Sequence, residues 1–228
     1  MLDSVKSIER TLRVHTRRLR ARALTAVGRY EDAAFEFSRS VPGWFAREEI
    51  RLLYQTVRAC EGPGDIAEIG SWKGRSTVTT GQALLHAGIR DCRIYAIDHH
   101  QGSDEETHRQ ILMSERSTLA AFRHNVRAAG VAPLVEEMVM PSSEAARALL
   151  ARGTRLRLAF IDGAHDEESV RDDIRLFMPL VRPGGLVALH DCLPDGPFPG
   201  VHRAFEAELA PRAEVVARAF TLLVARLP

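Results

Sequence analysis

A chain of 228 residues, 45% hydrophobic and 27% charged, has the makeup of a globular α/β protein with a sizeable core. Its formal charge of +1 excludes a global attraction to nucleic acid. No apolar run approaches the roughly 18 residues of a membrane span and no apolar signal core opens the chain, so the expected place is the cytoplasm.

Residues 1–30 carry Lys6, Arg10, Arg13, Arg17, Arg18, Arg20, Arg22 and Arg29 against Asp3 and Glu9. Such an arm reads as a solvated helix face or a subunit contact ahead of a phosphate-binding arm. The pattern from 1 to about 60 is helical, with one break at VPGW, residues 41–44. After it, Ile50, Leu53, Tyr54 and Val57 recur at helical offsets and form one apolar face. The Pro-Gly segment EGPGD then separates a helical N-terminal extension, 1–60, from a second region, 61–228. The extension is expected to cover a site or to meet a partner subunit, which makes a homodimer the expected assembly.

From residue 61 the pattern alternates. Strands are predicted at 65–70, 92–98, 135–140, 157–162 and 185–191, with helices at STVTTGQALLHAG, at 116–130, after PSSE, and at ESVRDDIRLFMPLV, where Val170, Ile174, Phe177 and Val181 share a face. Another helix follows the loop LPDGPFPG, and EVVARA and FTLLVARL are too close for a crossover, so they predict an antiparallel hairpin. Strand-helix alternation predicts a Rossmann-like, doubly wound parallel sheet whose ligands bind beyond the carboxyl ends of its strands. Cys60, Cys92 and Cys192 have no metal spacing and read as packing residues in a reducing compartment.

The first strand runs into EIGSWKGRST, where Gly70 and Gly74 allow close backbone approach and Ser71 to Ser76 lead into a helix start. Trp72 stands where a nicotinamide site needs its second glycine. Asp98, ending the second strand, can accept from two ribose hydroxyls, and Glu68 can answer a cationic or amine group. At the far end, Asp162 and Asp191 close the fourth and fifth strands. Parallel neighbours lie about 4.8 Å apart, so these carboxylates can converge on one hard cation, Mg²⁺ or Mn²⁺, or else cap the helices that follow. His165 stands one turn beyond Asp162, and an imidazole suits a general base near neutrality. His100, in AIDHHQGSD beside His99, is a second candidate for a catalytic role, and the acidic stretch 103–116 and LPDGPFPG are candidate lids.

Glu68, Gly70, Gly74 and Asp98, in this order and spacing, resemble the S-adenosylmethionine site of the class I methyltransferases, over residues 65–228. The resemblance implies a seven-stranded sheet of order 3-2-1-4-5-7-6 with the last strand antiparallel. It also implies that Glu68, Gly70 and Ser71 hold the methionine part, Asp98 the ribose, and Ser142 and Ser143 the adenine, unless these serines cap their helix. The spacing in FIDGAH, with RDDIRLFMPLVRPGG and LHD, is similar to the metal-dependent O-methyltransferases of bacterial sugars and polysaccharides, a group related to catechol-type enzymes and to proteins labelled cephalosporin hydroxylase. Sugar relatives usually close the fifth strand with Glu-Asp ligands. Here His190 precedes Asp191, and it is either a nitrogen ligand or a core histidine.

The function this implies is Mg²⁺-dependent methyl transfer from S-adenosylmethionine to a hydroxyl of a saccharide or glycosylated small molecule. The alternatives are a catechol-type or metal-independent small-molecule O-methyltransferase and, further off, an RNA methyltransferase using the basic arm.

Overall fold

The computed structural model describes residues 2–102 and 106–228. Three helices open the chain: α1 (Leu2–Ala26), α2 (Tyr30–Ser38) and α3 (Arg47–Ala59). Then β1 (Asp65–Ile69), α4 (Arg75–His86), β2 (Ile94–Ile97), α5 (Glu106–Glu115), α6 (Leu119–Ala128), β3 (Val135–Met138), α7 (Ser142–Ala151), β4 (Leu156–Ile161) and α8 (Glu167–Phe177) lead to β5 (Val181–Leu189), α9 (Pro199–Ala204), β6 (Glu214–Ala219) and β7 (Leu222–Arg226). The strands form one seven-stranded sheet in the order β3-β2-β1-β4-β5-β7-β6. Pairing is parallel from β3 to β5, while β7 runs antiparallel to both β5 and β6. The predicted fold class and hairpin are therefore present.

Alternate residues along each strand serve opposite faces. Ala67, Ile69, Ala159, Ile161, Val187 and Leu189 pack against α7, α8 and α9 through Leu149, Ile174, Phe177 and Val201. Ile66, Leu158, Phe160, Leu186 and Ala188 face the other way, against Ile50, Leu53, Tyr54 and Val57 of α3 and Leu84 of α4. Each Val, Leu, Ile or Phe among them stabilises the fold by about 1.5–3 kcal/mol when fully buried. The predicted apolar face of α3 thus belongs to a core it shares with the sheet.

Part of the basic arm makes internal contacts. Arg17 pairs with Glu36 of α2 at 2.8 Å, and Arg18 donates to Asn125 of α6 at 2.9 Å. All three cysteines are buried and free.

Two boundaries differ from the sequence reading. The helix expected through Val181 ends at Phe177, because Pro179 lacks the amide to continue it, and Met178–Leu180 form a 3-10 turn before β5. RPGG, which falls between that predicted helix and the strand predicted at 185–191, lies inside β5. The strand bulges there, with the register shifting between Leu156 and Leu158, and a Cβ on Gly185 would sit 2.6 Å from Val181 Cγ1. Of the acidic stretch 103–116, residues 106–115 form α5 and residues 103–105 lie outside the described residues.

Candidate active site

The parallel ladder continues one residue past the strand ends. Asp98 N donates to Met138 O, Gly70 N to Ile97 O, Asp162 N to Ile69 O and His190 N to Ile161 O, at 2.8–3.2 Å. These bonds place Asp98, Gly70, Asp162 and His190 in a row along the carboxyl edge of the sheet. Above it opens a cavity of about 1880 Å³, lined among others by Trp44, Ser71, Trp72, Asp98, Ser142, Asp162, His165, Asp191 and Phe198. This is the edge where a doubly wound sheet binds its ligands.

At the β1 end, Gly70 (φ 87°) is required by backbone contact, since a Cβ there would stand 1.9 Å from Asp162 O. Glu68 is buried beneath the loop and is not among the residues lining the cavity. Its Oε2 accepts from the hydroxyls of Ser71 and Thr77, and its Oε1 has no aligned donor. Burial pushes its carboxyl up to about 7, against the pull of Ser76, Thr77 and Ser71. Asp98 gives one oxygen to Trp72 N and the other to His100 N, each at 2.6 Å. It therefore fastens the loop after β1 to the loop after β2, and each oxygen keeps a further lone pair while Asp98 lines the cavity.

Gly74, in the left-handed region (φ 88°), is the N-cap of α4. Ser142 and Ser143 open α7 as its first helical residues behind an N-cap of Pro141, so neither is the capping residue. Both line the cavity. Ser142 bonds to Asp173 of α8, a buried carboxyl pushed up to about 6 by desolvation. His100 is only 2% exposed, and its Nδ1 lies 2.8 Å from Thr118 Oγ1. Its candidacy for catalysis is corrected accordingly: burial lowers its pKa, and the ring fills space beside Phe122. His99 is exposed at the cavity.

The acceptor end is built by register. Ile161 pairs with Leu189, so Asp162 stands opposite His190 and Asp191 lies one residue further on. Asp191 has φ 55°, a left-handed conformation that Asp tolerates better than most residues, and this turn brings its carboxylate back toward Asp162. Among the described residues, Asp162, His165 and Asp191 form a cluster whose ligand atoms all lie within 4.8 Å of one another. His165 Nε2 is 3.4 Å from Asp191 Oδ2, and its ring stacks on Phe198 with centroids 4.1 Å apart.

His190 is the inner histidine. It is 5% exposed, and its Nδ1 lies 3.0 Å from both Asp162 Oδ1 and Asp191 Oδ2. Of the two alternatives, its contacts favour the inner histidine over a metal ligand, since Nδ1 lies between the two carboxylates and Nε2 faces Glu49 Oε2 at 3.2 Å. Burial works against its charged form, but Asp162, Asp191 and Glu49 together raise its pKa well above the ordinary value. Burial raises Asp162 despite His190, whereas His190 holds Asp191 low despite burial. The donor set fits a hard divalent cation. Each aspartate keeps an oxygen that His190 does not engage, both open onto the cavity, and ligating carboxylates ordinarily carry supporting hydrogen bonds of this kind.

Residues 67–192, more than half of the chain, match the family model described as a methyltransferase domain. The chain belongs to this methyltransferase family. The match runs from within β1 to just past β5, so the methyltransferase region contains the glycine loop, Asp98, Asp162, His165 and Asp191. Solved structures share the fold of this methyltransferase. The O-methyltransferase TomG from Streptomyces achromogenes, involved in tomaymycin synthesis and solved with SAM, is 22% identical over 87% of this chain and 89% of its own, with a TM-score of 0.61. Cofactor-bound Rv0187 from MTB is 21% identical over 90% and 89%, TM-score 0.61. CalS11, a TDP-rhamnose 3'-O-methyltransferase of calicheamicin biosynthesis, is 20% identical over 78% and 76%, TM-score 0.52.

Proposed function

We propose that this methyltransferase uses S-adenosylmethionine to methylate a hydroxyl of a saccharide or glycosylated small molecule, with a divalent cation held at Asp162 and Asp191. The observation that carries this reading is the cluster of Asp162, His165 and Asp191 on the floor of a cavity at the carboxyl edge of the sheet. The fold neighbours TomG and CalS11, named for O-methylation and the latter for a nucleotide sugar, support the choice of oxygen and of a sugar. Asp98, Ser142 and Ser143 would hold the nucleoside end of the donor, while Glu68 holds the loop under its methionine end through Ser71 and Thr77.

When bound, the donor supplies an electrophilic methyl group and the cation lowers the pKa of an oxygen acceptor. His165, beside Asp191 and open to the cavity, takes the acceptor's proton at Nε2, while Phe198 holds its ring flat. Trp44, Trp72 and Phe198 give the cavity an apolar lining that excludes water from the acceptor. The loop between α2 and α3 completes the wall through Trp44 and Phe45, and we assign a homodimer contact to the exposed side of α1.

A second reading has its own observation. His165 lies within ligand distance of both aspartates, which favours it as a nitrogen ligand to the cation rather than as the base. The deciding experiment for the main proposal is label transfer from radioactive S-adenosylmethionine to a panel of mono- and oligosaccharides, phenols and RNA, with Mg²⁺ or with EDTA. Transfer to sugars that stops with EDTA supports it. Transfer that survives EDTA removes the cation, and transfer only to phenols or to RNA removes the saccharide.

A further inference from the structure

Glu49 lies on α3, outside the region that matches the family model, yet it reaches the floor of the site. It is 1% exposed. A carboxylate at that depth is costly unless every oxygen is answered. Oε2 accepts from Ala46 N at 2.6 Å, and Oε1 accepts from Thr221 N at 3.1 Å and from the Thr221 hydroxyl. Capping α3 requires only the Ala46 bond, which an exposed Glu could make. The remaining contacts run toward the aspartates. Thr221 Oγ1 accepts from Asp191 N at 3.3 Å. Glu49 Oε2 stands 3.2 Å from His190 Nε2, an ion pair whose N–H is not aligned for a hydrogen bond. On its other side, His190 Nδ1 touches both Asp162 and Asp191.

We propose that Glu49 is a positioning residue that sets the spacing of the Asp162 and Asp191 carboxylates by holding His190 from behind. This rests on the reading of that pair as a cation site. A ring gripped on its Nε2 side cannot follow either aspartate outward, so both carboxylates keep one oxygen turned in to Nδ1 and one toward the cavity. Removing a group that supports a ligand directly, as His190 supports the aspartates, ordinarily changes metal affinity about 10- to 100-fold, and Glu49 acts one residue further out.

The test is Mn²⁺ binding to the purified full chain, followed by electron paramagnetic resonance, with circular dichroism and Tm recorded for every variant. Glu49→Gln is expected to weaken Mn²⁺ binding by up to about 10-fold, while Glu48→Gln, on the exposed side of the same helix, leaves it unchanged. His190→Asn, which can keep a donor toward the aspartates but loses the contact with Glu49, is expected to weaken binding less than additively with Glu49→Gln. Unaltered affinity in a folded Glu49→Gln protein overturns the proposal, and full additivity overturns the route through His190. If Glu49→Gln does not fold, Glu49→Asp takes its place, with weakened binding expected and wild-type affinity overturning the proposal. A wild-type protein that takes up no Mn²⁺ overturns the cation reading itself, and the positioning role falls with it.

Discussion

At Glu68 the local chemistry makes a measurable demand. Its carboxyl sits near 4.5 in an unfolded chain and is pushed up to about 7 in the folded one. Between these values the folded state binds a proton that the unfolded state has released. Stability is therefore full below about 4.5 and falls as pH rises through 7, by on the order of 3 kcal/mol. Glu68→Gln should accept the same bonds from Ser71 and Thr77 without the charge. Denaturant unfolding from pH 4.5 to 8 should show the variant matching wild type at the acid end and exceeding it at pH 8, and parallel curves would remove this account of Glu68. His165 separates its two readings just as cleanly. His165→Ala should lower turnover by about 10²- to 10⁴-fold with Mn²⁺ affinity intact if the imidazole is the base. A matching loss of Mn²⁺ affinity would make it a ligand.

Single residues also show what the sequence could and could not tell. Asp98 and Asp162 were legible because each directly follows an apolar run of strand length, and His165 and Asp191 because each stands shortly beyond such a run. His190 was left open between ligand and core, because its surroundings depend on the register of β4 against β5 and on the distant Glu49. Glu49 and Asp173 carried a signal that passed unused. Glu49 precedes Leu53 by four positions and Asp173 follows Val170 by three, so each puts a carboxylate on the buried face of its helix. A charge in that phase demands a partner, and pattern alone does not say which. For Glu49 the partner is Thr221, 172 residues away.

Between elements, the tightest constraint is the contact of β1 with β4. Gly70→Ala would drive a Cβ into the carbonyl of Asp162, with no flexible side chain to yield. The ends of the two strands would separate, and a loss of about 3 kcal/mol or more is expected, read as a lower denaturant midpoint. The turn at Asp191 makes a contrasting case. Asn is at ease in the left-handed region, so Asp191→Asn should keep the turn and lose Mn²⁺ affinity, with Tm lowered only by the lost pairing to His190. A fall in Tm with affinity retained would show that the carboxylate serves the fold and not a cation. The order of strands and helices followed from hydrophobic period and from Gly and Pro, whereas the bulge inside RPGG did not. There the glycines serve a strand that must bend, and the dipeptide pattern of a bend resembles that of a stop.

For the whole molecule, the cavity is closed by parts distant in sequence: the loop before α3, the glycine loop after β1, and the loop before α9. The chain has two tryptophans, Trp44 and Trp72, and both line this cavity with ring centroids 5.7 Å apart. Intrinsic fluorescence excited at 295 nm therefore comes wholly from the site. Addition of S-adenosylmethionine, or of its product S-adenosylhomocysteine, should change its intensity saturably, and Trp72→Phe should remove most of the change. A signal indifferent to both compounds would argue that the donor binds elsewhere or not at all. No helix among the described residues is long and apolar enough to cross a membrane.

The bond between Glu49 and Thr221 also carries a consequence for the order of assembly. Contacts that span most of a chain form late, because the loop they close must first lose its freedom. The parallel strands can pair and most helices can dock before the C-terminal hairpin arrives, but His190 has its backing only afterwards. During refolding, recovery of helical signal should precede recovery of metal affinity. A nascent chain that has not yet made its last two strands would carry both aspartates and lack the geometry to use them.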